Sequence, residues 1–241
     1  MIINTYYKNT NNLGDCMSAP HHYIKELGDY MCDVRYLDRY VEFIETGGGK
    51  IDAIVFGGGG IIHHDSYIYF TNPRIENYKK LIIGIGNNMR TGRPWEYPEW
   101  LDGFDYVGLR DPDNPYTWLP CASCLSEEFG DIMFKGHGWV CYSHYDHLIP
   151  NTDNLPMLTN KKTPHEFSGV IEFFRKAEFV ISNSWHGVYW AKLLGKQVEV
   201  YEPFGNRFDC FLPEHEELWT HQNCVDVYEE EIPKIMSILK Q

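Results

Sequence analysis

Short apolar runs alternate with amphipathic stretches along this chain. Ile2-Ile3-Asn4-Thr5-Tyr6-Tyr7, Val34-Arg35-Tyr36-Leu37, Ile51-Asp52-Ala53-Ile54-Val55-Phe56, Leu81-Ile82-Ile83-Gly84-Ile85-Gly86 and Tyr106-Val107-Gly108-Leu109-Arg110-Asp111 read as strands. Their largely unbroken apolarity suits parallel strands covered on both faces. Several end in glycine or a polar residue, where α/β proteins place their functional loops. Trp139–Ser143, Phe179–Ile181 and Gln197–Tyr201 continue the series in the second half.

Helical periods lie between these runs. Met17 to Leu27 reads as a helix entered at Ser18-Ala19-Pro20, with proline in the first turn. Glu166 to Lys176 places Phe167, Val170, Ile171 and Phe174 on one face. A short helix over Tyr189–Leu194 is closed by Gly195, and a last one runs from near Glu229 to Leu239 with Ile232, Ile235, Met236 and Leu239 inward. The polar stretch from Asn151 to Thr163, with Pro150 and Pro156, reads as a loop. The alternation predicts an α/β fold of two Rossmann-like units with mostly parallel sheets, facing a cleft. The expected division is 1–130 and 131–241.

Composition narrows the function classes. The chain has 241 residues, with 43% hydrophobic and 15% aromatic content, enough to build a core rather than a disordered chain. The net charge of −13 argues against a nucleic-acid backbone binder and against an anionic membrane surface. A small anionic substrate remains compatible, because local arginines can hold it. The seven cysteines, an odd and scattered set, read as reduced thiols of a cytoplasmic protein. The start of the chain has a strand pattern rather than a targeting one, and no apolar run approaches membrane-spanning length, so no stable membrane insertion is expected.

The most informative stretch is Asn183-Ser184-Trp185-His186-Gly187-Val188. It joins the run Phe179–Ile181 to a helical pattern, so it reads as a tight polar turn at a helix start. Such a turn aims an imidazole and free backbone N–H groups at its occupant. A histidine there can work as acid or base near neutral pH, or it can simply pack and cap the helix. Gly187 beside it permits close backbone approach.

In order and kind, four features resemble the polysaccharide pyruvyl transferase family: Asn12-Leu13-Gly14-Asp15 after the first strand, Gly57-Gly58-Gly59-Gly60, Val107-Gly108-Leu109-Arg110-Asp111, and Ile181-Ser182-Asn183-Ser184-Trp185-His186-Gly187. They span most of the chain. The resemblance implies a fold like that of the GT-B glycosyltransferases. It also implies transfer of the pyruvyl group of phosphoenolpyruvate, as co-substrate, onto sugar hydroxyls as a ketal. The partners implied are a small anionic donor and an oligosaccharide or lipid-linked glycan acceptor. Some family members carry Arg where this chain has Ser184.

The chemistry assigns provisional roles. Ketal formation needs the methylene carbon of phosphoenolpyruvate protonated, and His186 is the expected acid. Asp15 either orients or deprotonates a sugar hydroxyl or caps a helix. Arg110 either grips the carboxylate or phosphate in a fork geometry or pairs with Asp111. Arg207 is a candidate replacement for the cation absent at Ser184. Asn183, Ser184, Gly187, Gly14, Gly58 and Gly59 are expected to contact the ligand. Zinc at Cys121-Ala122-Ser123-Cys124 with nearby histidines, or a metal at His63, His64 and Asp65, was the minor alternative; no metal or further cofactor is expected. A nucleotide-sugar glycosyltransferase and a non-catalytic glycan-binding relative remain the competing functions.

Overall fold

A computed structural model describes residues 1–8, 10–28, 30–62, 67–87, 97–130, 136–150, 154–162, 166–202 and 206–241. The chain folds as an α/β protein with two parallel sheets. The first contains β1 (Ile2–Tyr6), β2 (Met31–Asp33), β3 (Ala53–Gly57), β4 (Lys79–Ile85), β5 (Tyr106–Leu109) and β6 (Thr117–Trp118), in the order β2-β1-β3-β4-β5-β6. The second contains β7 (Trp139–Ser143), β8 (Met157–Thr159), β9 (Phe179–Ser182) and β10 (Gln197–Val200), in the order β10-β9-β7-β8. Every strand pair in both sheets is parallel. The order of each sheet reverses once, between β1 and β3 and between β7 and β9. Those switch points open crevices at the carboxyl ends of the strands.

Among the described residues, six α-helices accompany the strands: α1 (Leu13–Met17), α2 (Leu37–Thr46), α3 (Tyr67–Phe70), α4 (Phe167–Arg175), α5 (Trp185–Leu193) and α6 (His221–Lys240). The chain crosses from the first sheet to the second between Trp118 and Trp139. The last helix returns to the first sheet. Tyr106 donates to Glu231 at 2.9 Å, and Lys79 Nζ donates to the Ile238 carbonyl at 3.0 Å. Among the described residues, no helix is long and apolar enough to cross a membrane.

The alternation of side chains along β3 and β4 splits the interior in two. Ala53, Val55, Leu81 and Ile83 face a core shared with Val140, Tyr142 and Val180 of the second sheet. Ile54, Phe56, Ile82 and Ile85 face the opposite core, with Val41 and Ile44 of α2 and Phe70 of α3. Ile83 and Ile85 would share a face in a regular strand. They do not, because the register against β5 shifts between them. Gly84 sits at that bulge with φ +66°, and a Cβ there would lie 2.7 Å from the Pro120 carbonyl.

Several local expectations are corrected. The helix expected over Met17–Leu27 is broken. α1 ends at Met17, and beyond it only 3-10 turns form, at Pro20–His22 and Lys25–Leu27. Pro20 lacks the N–H that a helix continuing from α1 would need. Val34–Leu37 is not a strand: Asp33 accepts from Arg35 N at 3.1 Å and turns the chain into a 3-10 turn that leads to α2. The Leu37, Val41, Ile44 spacing of α2 is a helical period the strand reading passed over. Met157–Thr159, inside the expected loop, pairs with β7 as an edge strand. The last helix begins eight residues before Glu229, where Thr220 caps it by accepting from Asn223 N at 3.2 Å.

Gly84→Ala places a side chain in left-handed backbone against a carbonyl. It is expected to lower stability by at least ~2 kcal/mol in urea unfolding monitored by circular dichroism. An unchanged midpoint would mean that the bulge is not rigid.

Candidate functional site

A cavity of about 200 Å³ lies where the crevices of both sheets meet. Its walls come from the loops after β1 (Tyr7, Thr10, Asn12, Asp15), β3 (Gly60) and β5 (Arg110) of the first sheet. The second sheet adds His144, Tyr145 and Asp146 after β7, Asn160 after β8, Ser184, Trp185 and His186 after β9, and Arg207 after β10. Seven strands thus deliver their carboxyl-end loops to one place. The β1 and β8 loops are tied across the cavity by Leu13 N donating to the Asn160 carbonyl at 2.8 Å and Lys162 N donating to the Asn11 carbonyl at 2.6 Å.

Asp15 stands in the first turn of α1, whose start is fixed by Asn12 Oδ1 accepting from Gly14 N at 3.0 Å. Its carboxylate sits over the glycine run. Gly59 has φ +75°, and a Cβ there would be 2.8 Å from Asp15 Oδ1. Gly59 therefore packs under Asp15 rather than facing the ligand. Gly58 packs likewise against Ser18, and of this run only Gly60 lines the cavity. Gly14 and Gly187 were also expected to touch the ligand, and neither lines the cavity. A Cβ at Gly14 would overlap the His186 ring, and one at Gly187 would overlap Ser182 Oγ and the Tyr142 ring. These four glycines let functional side chains sit close to backbone.

Arg110 follows β5 and is 2% exposed. Its guanidinium stacks on the Trp185 ring at 3.6 Å from the centroid, and Gly86 leaves room for it to pass. Its Nε and Nη1 have no hydrogen-bond partner among the described residues. Asp111 does not pair with it by hydrogen bond; Asp111 instead accepts from Asn87 N at 2.8 Å. Arg207 lines the same cavity.

His186 lies in the first turn of α5 rather than in a turn before it. Ser182 Oγ shapes the entry by accepting from Ser184 N at 3.1 Å and donating to the Tyr142 carbonyl at 2.7 Å. Asn183 does not line the cavity. It accepts from His144 N at 2.7 Å and donates to the His147 carbonyl at 2.6 Å. Asn183 therefore holds the turn that supplies His144, Tyr145 and Asp146, three wall residues that the sequence reading missed. The β7 strand was legible, and the carboxyl-end rule applied to it would have found them.

The charges rearrange the expected proton chemistry. Burial, with Arg110 and Arg207 nearby, holds His186 well below the ordinary histidine range, so its imidazole is neutral at physiological pH. A neutral imidazole can offer a hydrogen bond there but carries no extra proton to give. Burial pushes the Asp15 carboxyl up to about 6, against the pull of Arg110 and Arg207. Asp15 stays partly open to the cavity. It is therefore the group poised to exchange a proton near neutrality.

Cys121 and Cys124 are both buried free thiols, and among the described residues no group of three His, Cys, Asp or Glu side chains is arranged to hold a metal. His63, His64 and Asp65 lie outside the described residues, as does Trp95. Trp118 and Trp219 meet edge-on and Trp100 stacks on Phe70; Trp185 is the tryptophan at the cavity wall.

No protein-family model and no curated protein matches the chain. Among solved structures, the chain is similar to a crystal structure of UDP-GlcNAc 2-epimerase from Neisseria meningitidis bound to UDP-GlcNAc. The two are 11% identical with a TM-score of 0.47, covering 99% of this chain and 92% of that one. Likeness at that level bears on neither substrate nor chemistry.

The Asp15 shift carries a stability consequence. A carboxyl whose pKa is higher folded than unfolded stabilises the fold below its unfolded value, and that contribution is lost as pH rises toward about 6. Asp15→Asn is therefore expected to raise stability at pH 7 by at most about 3 kcal/mol, and to leave it nearly unchanged at pH 3.5. Thermal unfolding at the two pH values checks this; equal effects at both would contradict it.

Proposed function

We propose that the protein is a transferase of the polysaccharide pyruvyl transferase type. It moves the pyruvyl group of phosphoenolpyruvate onto hydroxyls of a glycan or glycan precursor and forms a ketal. The observation that carries this reading is Arg110, a buried cation with two guanidinium nitrogens unpartnered among the described residues, at the wall of a cavity that also holds Arg207. A buried guanidinium left in that state favours an anionic occupant. Phosphoenolpyruvate has two anionic groups, a carboxylate and a phosphate, for two arginines.

Proton handling fits the same donor. Protonating the methylene carbon makes the adjacent carbon electrophilic. One hydroxyl attacks there, phosphate leaves, and a second hydroxyl closes the ketal. Of the two hydroxyl protons, one balances the new methyl group and the other departs with phosphate. Asp15, with its pKa near 6, can carry a proton to the carbon and then accept one from a hydroxyl. Neutral His186 and the two arginines hold charge that develops on the leaving phosphate. Tyr7, Asn12, Tyr145, Asp146 and Asn160 line the rest of the cavity with the hydroxyl, amide and carboxylate groups that suit a polyol.

Ligand-induced stabilisation tests the donor. Phosphoenolpyruvate at 100 times its Kd should add about 2.7 kcal/mol of stability. Arg110→Ala should weaken binding roughly 10- to 100-fold. Binding should also tighten as pH falls from 8 to 6, because a bound anion raises the Asp15 pKa further and takes up a proton. Stabilisation by UDP but not by phosphoenolpyruvate would transfer the assignment to a nucleotide-sugar glycosyltransferase. A response to neither, with retained binding of oligosaccharide, would leave a glycan-binding module.

A further inference from the structure

Behind His186 runs a chain of hydrogen bonds that the proposed reaction does not use. Trp190 Nε1 lies 3.0 Å from Ser123 Oγ. Ser123 Oγ lies 3.2 Å from Cys121 Sγ, and Cys121 Sγ lies 3.7 Å from His186 Nε2. Trp190, Ser123 and Cys121 have no exposed surface. Burial also raises the Cys121 thiol pKa, which keeps its hydrogen in place.

The direction of this chain follows from its first member. An indole N–H can only donate, while a hydroxyl and a thiol each have one hydrogen to give. Trp190 therefore fills an acceptor site on Ser123 Oγ. Ser123 gives its hydrogen to Cys121 Sγ, and the thiol gives its own to His186 Nε2. The reverse direction would need an acceptor on Trp190, whose indole N–H only donates, and a Cys121 sulfur accepting from both neighbours would leave the thiol hydrogen without an acceptor. Nε2 is thus an acceptor, and in a neutral imidazole the remaining hydrogen is on the other nitrogen.

We propose that the Trp190–Ser123–Cys121 relay fixes His186 as the Nδ1–H tautomer, so that the ring offers the cavity a hydrogen-bond donor instead of a basic lone pair. Nδ1 lies close to Gly14, on the ring edge that does not meet Cys121, and the His186 side chain lines the cavity. It adds a third donor to Arg110 and Arg207 for an anionic oxygen. Cys121 and Ser123 are positioning residues that act through His186 and touch no substrate. The role at the anion rests on the proposed function, but the tautomer itself does not.

The test is nitrogen-15 NMR of the whole protein labelled at histidine, with long-range correlations from the ring carbon-bound hydrogens. The His186 hydrogen is expected on Nδ1. Cys121→Ser, which retains a donor, should keep it there. Cys121→Ala, which removes the donor, should move a measurable share to Nε2, and Ser123→Ala should move a smaller one. A hydrogen on Nε2 in the unsubstituted protein would overturn the proposal whether or not the variants fold. A Cys121→Ala spectrum identical to that of the unsubstituted protein would do the same. Failure of phosphoenolpyruvate to bind would undo the transferase reading and leave the tautomer result standing.

Discussion

The site is organised around a guanidinium held away from water. Arg110 stacks on Trp185, passes over Gly86 and leaves two nitrogens unpartnered among the described residues. A buried cation is costly unless something answers it. Its field reaches His186, Asp15 and Asp111: burial lowers the His186 pKa and the guanidinium lowers it further, while the same charge opposes the burial that raises Asp15 and Asp111.

Backbone geometry makes that arrangement possible. Asp15, Arg110 and His186 each pack over a glycine: Gly59, Gly86 and Gly14 respectively. A methyl group at any of the three would push a functional side chain out of place. Gly59, Gly86 and Gly14 thus act one step away from the cavity. Asn183 works in a similar way, clamping the His144–His147 turn instead of reaching the cavity. Residues in conspicuous motifs are often the supports, and the wall itself is made by less conspicuous neighbours such as Tyr7, Tyr145 and Asn160.

Much of the sheet framework was legible because buried parallel strands leave continuous apolar runs. Ile54, Val55 and Phe56, or Leu81, Ile82 and Ile83, cannot be read otherwise once glycines bound them. Trp139–Ser143 coincides with its strand from end to end. The misreadings came where two local signals compete. Pro20 looks like the entry to a long helix and here opens only a 3-10 turn, while the Leu37–Ile44 period was masked by the apolar cluster before it. Met157–Thr159 becomes a strand only because β7 offers it an edge, which no local pattern encodes.

By itself the sequence determined at which loop of the α/β alternation each candidate residue stands. Asp15, Arg110, Ser184, His186 and Arg207 were all legible there, and they line one cavity. Only the tertiary structure decided what state those groups are in. Protonation depends on burial and on charges brought close by folding, and Arg110 and His186 are 76 positions apart in the chain. For that reason a histidine that looks like an acid in the sequence is a neutral ring in the fold, and an aspartate that looks like a helix cap has a pKa near 6.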